Sequence, residues 1–228
     1  MKITAFLPCR KGSERVLKKN TRPFAGRING LLEIKLTQLL AVEELDEIVV
    51  SSNDPEVLEY AEGLTSARVR THHRENSLGS SATSTDALVG HALALIPDGH
   101  ILWTHVTSPF FGSRQYTDCL RSYRDGLAKG FDSLMTVTEL HSFLWNLQGP
   151  VNYDRNLEKW PRTQTLAPLF EVNSAVFLYS AYGYAHTNDR IGKAPLLHPT
   201  SRIEGLDIDW PADFEVAQAM LDRGIAHC

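Results

Sequence analysis

The sequence has no uninterrupted apolar run of the roughly 18 residues that a membrane-spanning helix needs, so no membrane partner is expected. Cysteine is scarce: Cys9, Cys119 and Cys228 lie far apart with no C-x-x-C pair. Neither a disulfide framework nor a zinc site is expected, and a reducing, cytoplasmic compartment is the simplest setting. Charge of one sign is also lacking. The net charge is -4 and the pI about 6.1, which gives no global field for nucleic acid. G-x-x-x-x-G-K and G-x-G-x-x-G are both absent, which excludes a P-loop and a dinucleotide fingerprint. Ser13, Ser108 and Ser174 have no G-x-S-x-G setting, so a hydrolase triad is unsupported. No repeat, low-complexity tract or Pro/Gly/Ser linker divides the chain, and one domain over residues 1–228 is expected. Met1 to Pro8 is apolar but too short for a signal peptide. Arg10 and Lys11 stand where a cleavage site would be needed, so this stretch reads as a buried strand.

What is present is the composition of a globular protein, 43% apolar and 22% charged over 228 residues, enough for a substantial core. Short apolar runs alternate with helical patterns. Strands are expected at Ile3–Pro8, Glu47–Ser51, Ala67–Arg70, Ile101–Val106, Ser133–Thr138 and Val172–Tyr179. Helices are expected at Leu31–Glu44, after Asp54-Pro55, at Thr85–Ile96, Ser113–Lys129 and Trp210–Arg223. This β-α alternation argues for an α/β fold with a largely parallel sheet and helices on both faces. The pattern degrades between about Leu140 and Pro168, a stretch holding Trp145, Tyr153 and Trp160. It reads as an irregular insertion or an arm that docks on another subunit.

The densest chemistry follows the first strand. Residues 10–19 carry five cations, Arg10, Lys11, Arg15, Lys18 and Lys19, with Gly12 and Ser13 among them and Asn20 next. Ligands bind at the carboxyl ends of such strands. Gly12 permits close backbone approach, and Arg10, Arg15 and Lys19 suit phosphate oxygens. A solvated basic loop is an equal reading on composition alone. Near the other end stands Asp207-Ile208-Asp209. Extended backbone puts the two carboxylates on one face and Ile208 on the other, a pair that suits Mg²⁺ beside a polyphosphate. Capping of the Trp210-Pro211 helix would account for the acids equally well. Arg74, with Ser80, Ser81, Thr83, Ser84 and Thr85, either binds ribose or phosphate or caps a helix. His105 closes a strand, where it faces substrate or serves as a core histidine. His72-His73 lacks metal-ligand spacing, and Cys9 reads as a packed thiol.

In order along the chain, these segments resemble the acylneuraminate cytidylyltransferase family of CMP-sugar synthetases. Arg10 to Asn20 resembles its R-x-G-S-x-R/G-x-x-x-K-N signature. Ser77–Thr83 is similar to its nucleotide-side segment, and His105-Val106-Thr107-Ser108-Pro109 to its Q-P-T-S-P motif. Phe170 to Ala175 resembles the stretch ending N-G-A. Gly205 to Phe214 looks like the closing D-I-D-x-x-x-D-F.

The resemblance implies a Rossmann-like nucleotidyltransferase fold (GT-A-like) with a mixed, mostly parallel sheet, and a homodimer in which the 140–170 stretch reaches the partner. It implies that CTP and a nine-carbon 2-keto sugar acid give a CMP-sugar and pyrophosphate. It places Arg10, Gly12, Ser13, Arg15, Lys19, Asn20, Arg74, Thr83 and Thr85 on the nucleotide. His105, Ser108, Arg162, Glu171 and Asn173 fall on the sugar, Mg²⁺ on Asp207 and Asp209, and catalysis on Arg10, Lys19 and Asp209. This sequence departs from the pattern on the acceptor side alone. His105 stands for the usual Gln, Glu171 for a frequent Arg and Ser174 for Gly, which points to a relative of sialic acid such as legionaminic or pseudaminic acid. An enzyme activating the eight-carbon acid KDO is the alternative within the class. A nucleotide-sugar-binding protein of the same fold without turnover is the alternative outside it.

Overall fold

The computed structural model describes residues 1–79 and 83–228. Its strands are β1 Ile3–Cys9, β2 Glu47–Ser52, β3 Val69–His73, β4 His100–Trp103, β5 Ser133–Leu140, β6 Trp145–Asn146, β7 Gly149–Pro150, β8 Leu169–Ser180 and β9 Pro195–Thr200. Its helices are α1 Gly30–Leu40, α2 Pro55–Gly63, α3 Thr85–Leu95, α4 Ser113–Ala128, α5 Ala181–Thr187 and α6 Pro211–Asp222. Seven strands form one sheet in the order β3-β2-β1-β4-β8-β5-β9. In this sheet β8 alone runs antiparallel to its neighbours β4 and β5, and the sheet's other pairings are parallel.

Alternation along the strands builds a core on each face. Ile3, Ala5 and Leu7 of β1 join Leu31 and Leu36 of α1, Val57 of α2, Leu120 of α4 and Phe214 of α6. Phe6, between them, turns to the other face and meets Val89 of α3, Trp103 of β4 and Tyr184 of α5. Helices therefore cover both faces, as the β-α alternation implies. No helix among the described residues is long and apolar enough to cross a membrane.

Several boundaries differ from the sequence reading for physical reasons. The helix expected to reach Glu44 ends at Leu40. Val42 and Leu45 extend its apolar stripe because a turn folds them back into the core, both fully buried. β9 escapes the reading because Pro195 and Pro199 interrupt it. It is an edge strand, where proline is tolerated. α5, capped by Ser180 through the Gly183 N–H at 3.0 Å, is too short to show a period. Residues 141–168 hold only the β6–β7 ribbon and one 3₁₀ turn. Arg155 sits between Trp145 and Trp160, at 5.3 and 5.2 Å.

β8 carries the irregularity that shapes the site. Its pairing with β5 jumps from Met135–Phe177 to Val137–Val172, so residues 173–176 bulge out. Ser174 there has φ of 61°, a left-handed conformation that a side chain disfavours by roughly 1–2 kcal/mol. Ser174→Gly is expected to raise stability by about 1 kcal/mol once glycine's added chain entropy is offset. Thermal unfolding checks this; a lower midpoint would mean the hydroxyl makes a stabilising contact.

Candidate active site

The carboxyl ends of the parallel strands open into a cleft of about 430 Å³. The loop after β1 forms one wall. Its fold is held by side chains: the Asn20 amide donates to the Arg10 carbonyl at 3.1 Å, and the Lys11 N–H donates to Asn53 at 2.8 Å. Gly12 turns the loop at φ of 76°. Arg10, Ser13, Arg15, Lys19 and Asn20 thereby face the cleft.

The Asp207-Ile208-Asp209 segment forms the facing wall. Ile208 is fully buried, its N–H donates to the Thr107 carbonyl at 2.8 Å, and both aspartates line the cleft, as extended backbone requires. Asp213 fixes the segment by accepting from the N–H groups of Asp209 and Trp210, at 2.9 and 2.7 Å. Lys19 bridges the walls through its Nζ, 2.7 Å from the Ile208 carbonyl and 3.2 Å from Asp209 Oδ1. Arg15 reaches the same Oδ1 at 3.3 Å and lies over the Trp210 ring at 4.7 Å. Two cations thus share one carboxylate oxygen. Asp207 is different. Its Oδ1 is buried without a hydrogen-bond partner, and burial pushes its carboxyl above the ordinary range against the opposing hydrogen bond from Thr107.

Arg74 supplies the third wall. Its backbone N–H extends the β2–β3 ladder by donating to the Ser52 carbonyl at 2.8 Å. The side chain is 1% exposed, and its Nε and Nη2 have no partner among the described residues. A buried guanidinium with unfilled donors is costly unless an anion arrives. Thr83 and Thr85 line the cleft beside it, while Ser84 caps α3 through the Ala87 N–H at 3.2 Å. Ser80 and Ser81 lie outside the described residues. The lining holds five cations, Arg10, Arg15, Lys19, Arg74 and Arg190, against three carboxylates, Glu14, Asp207 and Asp209. An acidic chain has concentrated positive charge in one cleft.

A model of the cytidylyltransferase family matches residues 4–216. The chain belongs to the cytidylyltransferase family. It is 23% identical over 223 residues to the N-acylneuraminate cytidylyltransferase of Escherichia coli O18:K1:H7 (strain RS218 / NMEC), covering 95% of this chain and 51% of that protein. It is 29% identical over 106 residues to the pseudaminic acid cytidylyltransferase of Campylobacter jejuni (serotype O:2), covering 46% of this chain and 44% of that one. The chain therefore spans about half the length of the curated relatives it matches. Its fold is similar to that of CMP:2-keto-3-deoxy-manno-octonic acid synthetase complexed with CTP. The TM-score is 0.69 and the identity 16%, covering 98% of this chain and all of that one. It is also similar to a 4-diphosphocytidyl-2C-methyl-D-erythritol synthase from Anaerococcus prevotii, with a TM-score of 0.67 and 14% identity, covering 97% and 96%.

Of the nucleotide-side candidates, the fold brings all but Gly12 to the cleft lining; Gly12 shapes the loop instead. Of the acceptor-side candidates, only His105 lines it. Ser108 is fully buried, and its carbonyl accepts from the Lys35 Nζ at 2.9 Å. The Asn173 amide is committed to structure. It donates to Thr138 and Thr200 at 3.1 and 2.8 Å and accepts from the Ala175 N–H at 3.3 Å. Gly205 packs against this trio so closely that a Cβ there would sit 2.8 Å from the Asn173 amide nitrogen. Its bulged neighbour Ser174 faces the cleft. Arg162 and Glu171 are exposed outside the cleft, on the irregular segment and the start of β8.

His105 accepts at Nε2 from the Trp103 indole N–H at 3.1 Å, which places its own proton on Nδ1. Burial, then the charge of Arg190, pushes its pKa down to about 3, so the ring is neutral at working pH. Because the folded value lies below the unfolded 6.5, its share of stability is full above pH 6.5 and is lost as pH falls toward 3. Between pH 5.5 and 8, His105→Gln is expected to leave the shape of the pH–rate profile unchanged. An inflection near 6.5 that the variant removes would contradict a neutral ring.

The sequence reading missed Arg190 and Trp103 in the lining and the orienting role of Asp213; Ser174 it noted only as a departure from the family pattern. Arg190 belongs to no motif and lies between α5 and β9, two elements that periodicity did not show. The D-x-x-x-D spacing contained the signal for Asp213, since an acid at the third helical residue reaches back to the cap.

Proposed function

We propose that this chain transfers CMP from CTP to the anomeric hydroxyl of a nine-carbon 2-keto sugar acid and releases pyrophosphate. The observation that carries the reading is the buried Arg74 guanidinium, whose Nε and Nη2 have no partner among the described residues, set with Arg10, Arg15 and Lys19 in one cleft with Asp207 and Asp209. This is a cradle for a polyphosphate beside a carboxylate pair. The ordered motifs and the names of the curated relatives support cytidine and a sugar acid as the substrates.

In the proposed step the sugar hydroxyl oxygen bonds to the α-phosphorus. The bond from that phosphorus to the bridging oxygen breaks, pyrophosphate leaves with the electron pair, and the hydroxyl proton is lost to solvent. Donor and acceptor are both anions. Arg10, Arg15, Lys19 and Arg74 offset their repulsion and the charge that grows on the leaving group. Lys19, held by the Ile208 carbonyl, needs little reorganisation to do so. Asp207 and Asp209 would hold Mg²⁺. The fit rests on the orphaned Asp207 Oδ1 and on hard oxygen donors on one face, with phosphate and water completing the shell. When bound, Mg²⁺ supplies Lewis-acid charge on the phosphate oxygens.

The proposal extends to a homodimer. The 140–170 segment exposes Trp145, Leu147, Leu157 and Trp160, and Arg162 and Glu171 lie away from their own cleft, as residues serving a partner's acceptor site would. Light scattering at micromolar concentration tests this, and a monomer would refute it.

The direct test of the reaction is pyrophosphate release with CTP and Mg²⁺ against N-acetylneuraminic, legionaminic and pseudaminic acids, KDN and KDO, with ATP, GTP and UTP as controls. Release with CTP and one acid is expected. CTP binding without release would support a binding protein, and absence of CTP binding would overturn the reading.

A further inference from the structure

Arg190 enters the cleft over β4 and β8. Its guanidinium lies 3.7 Å from the Phe177 ring centroid and 5.1 Å from that of Trp103. Two aromatic faces hold the planar group while leaving its N–H donors unspent. The adjacent carboxylate, Asp189, places Oδ1 on the backbone N–H groups of Arg190 and Ile191, at 2.6 and 3.3 Å. Among the described residues the guanidinium has no ion pair. His105 stands beside the same indole, its Nε2 occupied by Trp103 and its Nδ1–H left to donate. Arg190 is also the charge that weighs most on that ring. Two donors, one permanently charged and one neutral, thus share an aromatic shelf over β4 and β8, with β1 and β2 between it and β3, the strand that leads into Arg74.

Arg10, Arg15, Lys19 and Arg74 already supply the cations a triphosphate needs. The fifth cation is left over, on a separate shelf, for a second anion. A guanidinium clamped by aromatic rings presents a fixed fork, the geometry that matches a carboxylate with two parallel hydrogen bonds. We propose that Arg190, assisted by the Nδ1–H of His105, receives the carboxylate of the acceptor and is the residue that selects an acidic sugar over a neutral one. This deepens the transfer reaction proposed above and rests on it. It also gives a reason for His105 being neutral: a second full positive charge next to Arg190 would be repelled.

The test is equilibrium binding, which needs no turnover. Wild type, Arg190→Gln and Arg190→Lys are titrated with the five sugar acids named above and with the methyl ester of each, and separately with CTP. Wild type is expected to bind at least one acid about 100-fold more tightly than its ester. Arg190→Gln is expected to weaken that acid about 100-fold, the equivalent of a charged hydrogen-bonded contact, and to leave the ester and CTP unchanged. Arg190→Lys should fall between, because it keeps the charge but loses the fork. Unchanged CTP binding also shows that the variants are folded. An acid–ester preference that survives in Arg190→Gln overturns the assignment. So does a wild type that ignores the carboxylate. A parallel loss of CTP affinity would put Arg190 on the nucleotide and overturn it too. Failure of the transfer reaction reads differently: acid binding through Arg190 with no pyrophosphate released from CTP refutes turnover and leaves the carboxylate site standing.

Discussion

Asp209→Ala is expected to cut CTP-dependent pyrophosphate release about 1000-fold, close to 4 kcal/mol of barrier, while strengthening CTP binding in metal-free buffer. The two effects have one structural cause. Asp209 Oδ1 carries both Lys19, at 3.2 Å, and Arg15, at 3.3 Å. Without nucleotide those cations are partly neutralised by the carboxylate, which itself faces the incoming triphosphate. Its removal frees two donors and deletes a like charge. Both Arg15 and Asp209 are 44% exposed, so solvent screens the pair and the gain is modest, about threefold to tenfold. The loss of turnover is larger because half of the carboxylate pair proposed to hold Mg²⁺ disappears. Calorimetric CTP titration in EDTA and steady-state pyrophosphate assays in Mg²⁺ check the two limbs. Undiminished turnover would make Asp209 a pairing partner only. Weaker CTP binding would show that it positions Arg15 and Lys19 rather than holding them back.

The second large effect concerns stability. Lys35 is completely buried on α1. Its Nζ lies 2.9, 3.0 and 2.9 Å from the Ser108 carbonyl, the Phe111 carbonyl and the Tyr116 hydroxyl. The Tyr116 hydroxyl meets Thr104 at 2.6 Å, and Thr104 donates to the Ala175 carbonyl at 2.7 Å. This chain of hydrogen bonds ties α1 to the turn after β4 and to the β8 bulge, directly beneath the cleft. Lys35→Met fills similar volume but strands buried acceptors. We expect a loss of about 3 kcal/mol and a midpoint lower by about 10 °C for a chain of this size. Burial pushes the Lys35 pKa down to about 7 from 10.5. Between those values the unfolded chain binds the extra proton, so wild-type stability relative to the variant rises with pH across the window and is flat above 10.5. Chemical denaturation of both proteins at pH 6.5, 8 and 9.5 tests it. A difference that shrinks as pH rises would contradict the burial argument.

The legible parts of this protein were those governed by local rules. The short apolar runs of β1 and β2, the Asp54-Pro55 start of α2 and the extended Asp207-Ile208-Asp209 all follow from hydrophobic patterning and capping, and the structure has them where the sequence puts them. The basic loop after β1 was legible because five cations near Gly12 make a signal by themselves. The placement of the acceptor candidates was not. Asn173 and Ser108 sit in motifs, yet packing turned both into supports, and the bulge exposed Ser174 in their place. β9 and α5 were hidden by Pro195, Pro199 and short length, and Arg190 between them was hidden with them.

By itself, the sequence determined an α/β chain with a basic loop after its first strand and a pair of carboxylates on one face near its end. Both are consequences of neighbouring residues and backbone period. Only the tertiary structure decided that Lys19 and Arg15 meet across about 190 residues on a single oxygen of Asp209. Only it buried Arg74 with Nε and Nη2 lacking a partner among the described residues, and laid Arg190 over the rings of two strands that are adjacent in the sheet and far apart in the chain. Charge and hydrogen-bond energies depend on distance and burial, and those are set by which elements pack together.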